Sequence, residues 1–151
     1  LAEAGWPVVI TAAPDARERQ LVDEIVAGCR QPVLSMAGEL SLKDMAALTA
    51  RARLFVGVDS APMHIAAAVG TPAVALFGPS AESDWGPWQV LHRVVASDRH
   101  RCRPCGLDGC GGGKLSDCLA RLPVQAVWQA ALELLQAPAS GGDVGSAPAE
   151  A

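Results

Sequence analysis

Four short apolar runs, three of them followed by segments with helical spacing, constrain this chain more than any other feature. PVVIT at 7–11 is rich in β-branched residues, and after it come Asp15, a cap residue, and Leu21, Val22, Ile25, Val26 and Cys29 at helical spacing. Residues 33–36 form the second run; Ser41 with Asp44 three residues on is a capping-box variant that opens a helix through Leu42, Met45 and Leu48. Residues 54–58 form the third run, ahead of a small-residue helix over 62–69. The fourth, 71–77, is apolar almost without interruption, as a strand covered on both faces must be. Three successive strand-helix-strand units predict an α/β fold, a Rossmann-like parallel sheet with flanking helices and right-handed crossovers. A loop dense in Gly, Pro and Ser fills 78–88, and a last strand is expected over 90–96. A cysteine- and glycine-rich loop covers 101–118, after which Pro123 opens a helix over 124–135 with Val124, Val127, Trp128, Ala131 and Leu135 at helical spacing.

A chain of 151 residues that is 50% hydrophobic and 19% charged is long enough for one compact domain with a core. That domain is expected over 1–136. Residues 137–151 are Ala, Pro, Ser, Gly and a few acids, a composition that cannot offset its ordering entropy, so this tail is expected to be disordered. Twelve basic against sixteen acidic residues give a formal charge of −4, which leaves no basic field for nucleic acid or anionic lipid. An anionic ligand has to be held locally. No apolar run approaches the roughly 18 to 20 residues of a membrane span, and residues 1–11 lack the basic start of a signal peptide. The chain is expected to be soluble and cytosolic. It opens on LAEAG, which reads as the end of a helix and a turn glycine, so the start of a longer parent is expected to precede Leu1.

GVDSAPMH at 57–64 places an acid, a hydroxyl and an imidazole where the third strand ends, and FGPS at 77–80 does the same for the fourth. In open parallel sheets, ligands bind outside the carboxyl ends of the strands, where the next helices point their N-termini. Asp59 or Ser60 is expected to cap the following helix, leaving the N–H groups of Ala61, Met63 and His64 facing outward with the positive end of the helix dipole. Such a turn holds an anion without a basic residue. The amides of Gly78 and Ser80 and the Ser80 hydroxyl are expected to converge on the same phosphates. Each residue also has a plainer reading: Asp59 and Ser60 as a cap only, His64 as an exposed or core-edge histidine, and Trp85 and Trp88 as packing over a loop.

Taken together, LFVGVDSAPMHIAAAVGTPAVALFGPSAESDWGPW at 54–88 resembles the signature of glycosyltransferase family 9, the ADP-heptose:lipopolysaccharide heptosyltransferases. The matching parts are the D-[ST]-[GA]-x-x-H turn at Asp59, Ser60, Ala61 and His64, the A-A-A-x-G-x-P segment at 66–72, and the F-G-P-[ST] turn with its WGPW echo. Ala61 stands where many members have glycine. CRPCGLDGCGGGKLSDCL at 102–119 further resembles the heptosyltransferase III-like subgroup, which adds a branch heptose to the inner core. The resemblance covers about residues 1–136. It implies the C-terminal half of a GT-B glycosyltransferase, the half that binds the nucleotide-sugar donor. It also implies that Asp59, Ser60, Ala61, Met63, His64, Gly78, Pro79 and Ser80 lie against the diphosphate and heptose, with Asp15 and Glu18 the nearest acids to the family's nucleoside contact. The acceptor site and the base, by the same resemblance, belong to an N-terminal domain that this chain lacks, and a donor-binding lysine would lie before Leu1. No catalytic residue is therefore assigned within the chain.

Cys102, Cys105, Cys110 and Cys118 are spaced C-x2-C-x4-C-x7-C, and Cys29 lies apart in a helix. Four thiolates can hold zinc tetrahedrally, but the paired CxxC spacing of a zinc ribbon is absent. Disulfides are disfavoured in a cytosol. Free thiols, a structural zinc and disulfides formed on isolation all remain open readings, with no cofactor otherwise expected. The expected function is donor binding for transfer of heptose from ADP-heptose to the lipopolysaccharide inner core, at the cytosolic face of the inner membrane through peripheral association. The alternative is a stand-alone nucleotide-binding or regulatory module without transferase activity.

Overall fold

The computed structural model describes residues 1–137, so the expected disordered tail lies, but for Ala137, outside the described residues. Strands β1 (Val9–Ile10) and β2 (Leu34–Ser35) pair in parallel, and β3 (Phe55–Val58), β4 (Ala73–Phe77) and β5 (His92–Ala96) form a second parallel sheet in that order. The helices are α1 (Ala16–Gly28), α2 (Leu42–Ala50), α3 (Ala61–Ala68), α4 (Glu82–Trp85), α5 (Asp117–Ala120) and α6 (Val124–Gln136). Two of them interrupt stretches expected to be loop: α4 within 78–88 and α5 at the end of the cysteine segment.

The parallel α/β architecture is as the alternation of runs requires, but the ladder is not continuous. β1 and β3 do not pair with each other. The Phe55 and Asp59 amides donate to the Pro72 and Leu76 carbonyls, so the intervening amides of Val56 and Val58 face the opposite, open edge. Val9, Val56 and Val58 are correspondingly exposed. α1 buries only Val22 and leaves Leu21 and Ile25 exposed, because the sheet beside it has just two short strands.

Local chemistry sets the helix starts. Asp15 caps α1 by accepting from the Arg17 and Glu18 amides at 2.9 and 3.2 Å. Ser41 and Asp44 make a complete capping box at the start of α2. α6 ends on Arg53, whose guanidinium donates to the Leu135 and Ala137 carbonyls at 3.4 and 3.1 Å and satisfies groups that a helix C-terminus leaves open.

β4 is the centre of the core, buried on both faces. On one face Val74, with Leu76 partly buried, meets Val95 of β5 and Ala130, Ala131 and Leu134 of α6. On the other, Ala75 and Phe77 pack with Met63 of α3 and with Phe55. Val74, Phe77 and Met63 are fully buried, each stabilising the fold by about 1.5–3 kcal/mol relative to exposure. Gly57 lets the Phe55 ring lie close over the strand: a Cβ there would stand 2.6 Å from a ring carbon, and the ring would have to shift. The buried Thr71 hydroxyl donates to the Thr49 carbonyl at 2.7 Å, tying the end of α2 to the turn that precedes β4.

Candidate functional site

Because β3, β4 and β5 run parallel, their carboxyl ends at Val58, Phe77 and Ala96 share one edge, and the turns that follow them form its rim. Asp59 makes the last rung, its amide donating to Leu76 at 3.2 Å. Ser60 is extended (φ −166°, ψ 170°), and α3 starts at Ala61. The expected side-chain cap is not made. The Ser60 hydroxyl instead donates back to the Val58 carbonyl at 3.1 Å, and no side chain accepts from the first turn of α3. The amides of Met63 and His64 are not free either, since both donate to the Ser60 carbonyl, at 3.0 and 3.4 Å. Pro62 has no N–H, so the donor left at this helix start is the Ala61 amide, which has no partner among the described residues.

Around it, side chains divide by depth. Met63 points into the core and is fully buried, so it supports the turn from below and presents nothing to a ligand. The Asp59 carboxylate is 19% exposed, with Oδ1 3.5 Å from Nε2 of His64, whose side chain is 44% exposed. The His64 ring meets Trp85 edge-on, centroids 6.4 Å apart at 69°. Trp85 and Trp88 are both exposed, so neither acts as the loop-covering packing residue that the sequence suggests. A partly buried acid, a half-exposed imidazole and an exposed indole thus stand beside an uncapped helix N-terminus, a combination suited to an anion joined to a hydroxylated group.

The FGPS turn is held from the other side. Leu119 lies against Gly78, 3.0 Å from where a Cβ would stand, and the Gly106 amide donates to the Pro79 carbonyl at 2.9 Å. Arg103 donates to the Gly78 carbonyl at 2.6 Å, the Ser97 carbonyl at 3.1 Å and the Glu82 carboxylate at 2.9 Å. The amide and hydroxyl of Ser80 have no partner among the described residues.

Residues 1–114 match the family model described as glycosyltransferase family 9 (heptosyltransferase). The chain belongs to this family. It is 47% identical over 85 residues to lipopolysaccharide heptosyltransferase 3 of Escherichia coli, covering 56% of this chain and 25% of that one. It is 33% identical over 105 residues to lipopolysaccharide heptosyltransferase 1 of Pseudomonas aeruginosa, covering 70% and 28%. Among solved structures it is similar to a family 9 glycosyl transferase from Veillonella parvula (TM-score 0.72, 25% identity, 89% of this chain and 38% of that one). It is likewise similar to ADP-heptose lps heptosyltransferase II of E. coli (TM-score 0.69, 27% identity, 88% and 37%). The chain spans about a quarter of the length of the curated relatives it matches.

Within this family 9 chain, the remaining candidate residues are spread more widely. Asp15 and Glu18 sit beyond the other ladder, at the start of α1, and both are engaged there: Asp15 in its cap, and Glu18 in accepting from the Ala13 amide at 2.8 Å. Cys102, Cys105 and Cys110 are exposed and Cys118 is buried, and all five cysteines of the chain are free thiols. Among the described residues no three His, Cys, Asp or Glu side chains are grouped to hold a metal ion. Burial pushes the Cys118 thiol up; the Arg103 guanidinium opposes this, and neighbouring Cys110 and Cys105 add to it. A hollow of about 380 Å³ lies on the α6 side of β3, lined by Val56, Val58, Leu76, Val127 and Trp128, and it is apolar and separate from the turn at Asp59. Arg103 and Glu82 escaped the sequence reading, because their partners are distant in sequence and no motif marks them.

Proposed function

We propose that this chain is the donor-binding part of a glycosyltransferase that moves heptose from ADP-heptose to the lipopolysaccharide inner core. One observation carries the reading: in a family 9 chain, the Asp59 to His64 turn stands at the end of β3 with its helix start uncapped and its Ala61 amide unpartnered. The names of the relatives, lipopolysaccharide heptosyltransferase 3 and ADP-heptose lps heptosyltransferase II, support the donor and the acceptor.

In the transfer, an acceptor hydroxyl oxygen bonds to the anomeric carbon of the heptose and the bond from that carbon to the diphosphate breaks. The electron pair goes to the leaving ADP oxygen, and the hydroxyl proton to a base. The amides of Ala61 and Ser80 and the positive end of α3 offset the charge that develops on the diphosphate. His64 donates to a phosphate oxygen or sugar hydroxyl, and Asp59 accepts from a sugar hydroxyl. The base and the acceptor site belong to parts of the parent outside this chain. The work is done at the cytosolic face of the inner membrane, by peripheral association; no helix among the described residues is long and apolar enough to cross a membrane.

Calorimetric titration with ADP and ADP-heptose tests this. The expected result is weak, saturable binding of both, tighter for the sugar nucleotide, with no heptose transfer by this chain alone. No heat at millimolar ADP-heptose would sink the donor reading. Equal affinity for ADP and ADP-heptose, with a transfer-inactive parent, would favour a nucleotide-binding module instead.

A further inference from the structure

The segment between β5 and α5 grips the turn after β4, and Arg103 is the centre of the grip. Its side chain is 9% exposed, and all three of its nitrogens are taken. Nε donates to the Gly78 carbonyl, Nη1 to the Ser97 carbonyl and Nη2 to the Glu82 carboxylate. These acceptors follow β4, follow β5 and open α4, so one planar fork joins three segments of the rim. A buried guanidinium is costly unless it is hydrogen-bonded, and here each of its three nitrogens has an acceptor.

The geometry of a trans peptide carries the argument to the ligand side. The peptide unit is planar, so the Ser80 N–H points opposite to the Pro79 carbonyl. That carbonyl is turned toward the Gly106 amide, 2.9 Å away. The Ser80 amide therefore faces away from the cysteine-bearing loop, and nothing among the described residues accepts from it. Arg103 fixes the preceding carbonyl, at Gly78, in the same sense.

We infer that Arg103 is a positioning residue for the donor: it fixes the Gly78 carbonyl while the Gly106 amide, three residues on in the same segment, holds the Pro79 carbonyl, so that the Ser80 amide is aimed at the diphosphate. This rests on the donor-binding reading given above. Arg103 itself touches no ligand; it acts through the FGPS turn. The cysteine-bearing segment thereby acquires a task that needs neither metal nor thiol chemistry.

The test is titration of ADP into the unmutated chain and into Arg103→Ala, Arg103→Lys and Arg93→Ala, the last removing a surface pair with Glu133. Arg103→Ala is expected to weaken ADP binding at least about tenfold, as the loss of one hydrogen bond to a charged group does. Added guanidinium ion at sub-denaturing concentration is expected to restore part of that affinity, which a merely destabilised fold would not show. Arg103→Lys is expected to weaken binding similarly and to resist rescue, because an ammonium cannot span three acceptors while its stem fills the guanidinium site. Arg93→Ala should bind as the unmutated chain does. Unchanged ADP affinity in a folded Arg103 variant overturns the inference and leaves the donor reading intact. Absence of ADP binding by the unmutated chain removes both. Where Arg103→Ala fails to fold, the Arg103→Lys titration decides.

Discussion

Replacing Met63 with alanine removes three heavy atoms from a fully buried side chain that packs with Ala75 and Phe77. Ala75 and Phe77 are fixed in β4, which is paired on both sides, so the site has little freedom to collapse. Buried Met→Ala changes cost about 2–5 kcal/mol, and a rigid surround puts this one near 3 kcal/mol. For a domain of this size that corresponds to a melting temperature lowered by roughly 10 °C. His64, the next residue, is expected to behave in the opposite way. It is half exposed and its one ion pair, with Asp59, is long at 3.5 Å, so His64→Ala should cost less than about 1 kcal/mol. Urea denaturation followed by far-UV circular dichroism measures both variants on the same footing. A Met63→Ala variant within about 1 kcal/mol of the unmutated chain, or one more stable than His64→Ala, would refute the division between a buried support and an exposed ligand face.

Asp59→Ala removes no cap bond, so its melting temperature should stay within roughly 4 °C of the unmutated chain, while ADP-heptose affinity falls at least about tenfold. Normal affinity in both Asp59→Ala and His64→Ala would leave the turn a purely structural role. Thr71→Val keeps the β-branched shape but strips the Thr49 carbonyl of its 2.7 Å partner, and should cost about 1–3 kcal/mol in the same urea assay. Burial favours the neutral Cys118 thiol, so folding raises its pKa. The resulting stability is complete below the unfolded thiol's pKa of about 8.5 and declines as pH rises above it. The urea midpoint should therefore fall between pH 8 and pH 10, and fall less in Cys118→Ala; equal declines would show that this thiol is not the cause.

What could be read from the sequence was what short-range chemistry decides. Asp15 and the Ser41–Asp44 pair cap their helices as expected, because a cap needs only a side-chain oxygen within three residues of an amide. The continuous apolar run through β4 correctly signals burial on both faces. Ser60 shows the limit even locally: its hydroxyl can donate as well as accept, and the strand carbonyl of Val58 wins over the helix amides. The break between β1–β2 and β3–β5 was not legible, since strand pairing is long-range and composition does not say which run sits beside which. Arg103 was not legible for the same reason, with acceptors at Gly78, Glu82 and Ser97 that only the folded rim brings together.

The cover that α6 provides for one face of the central sheet has a consequence in time. α6 ends at Gln136, about forty residues after β5 closes, and the cysteine-bearing segment is made in between. At about 5–20 residues per second, a ribosome needs roughly 2–8 seconds to deliver it. Throughout that interval Val74 and Val95, buried in the finished fold by α6, have no partner from it. The nascent chain is therefore exposed to misassociation in the interval after β5 is made and before α6 is. Substitutions in α6 such as Leu134→Ala should then reduce the yield of soluble chain in cells by more than their effect on equilibrium stability implies.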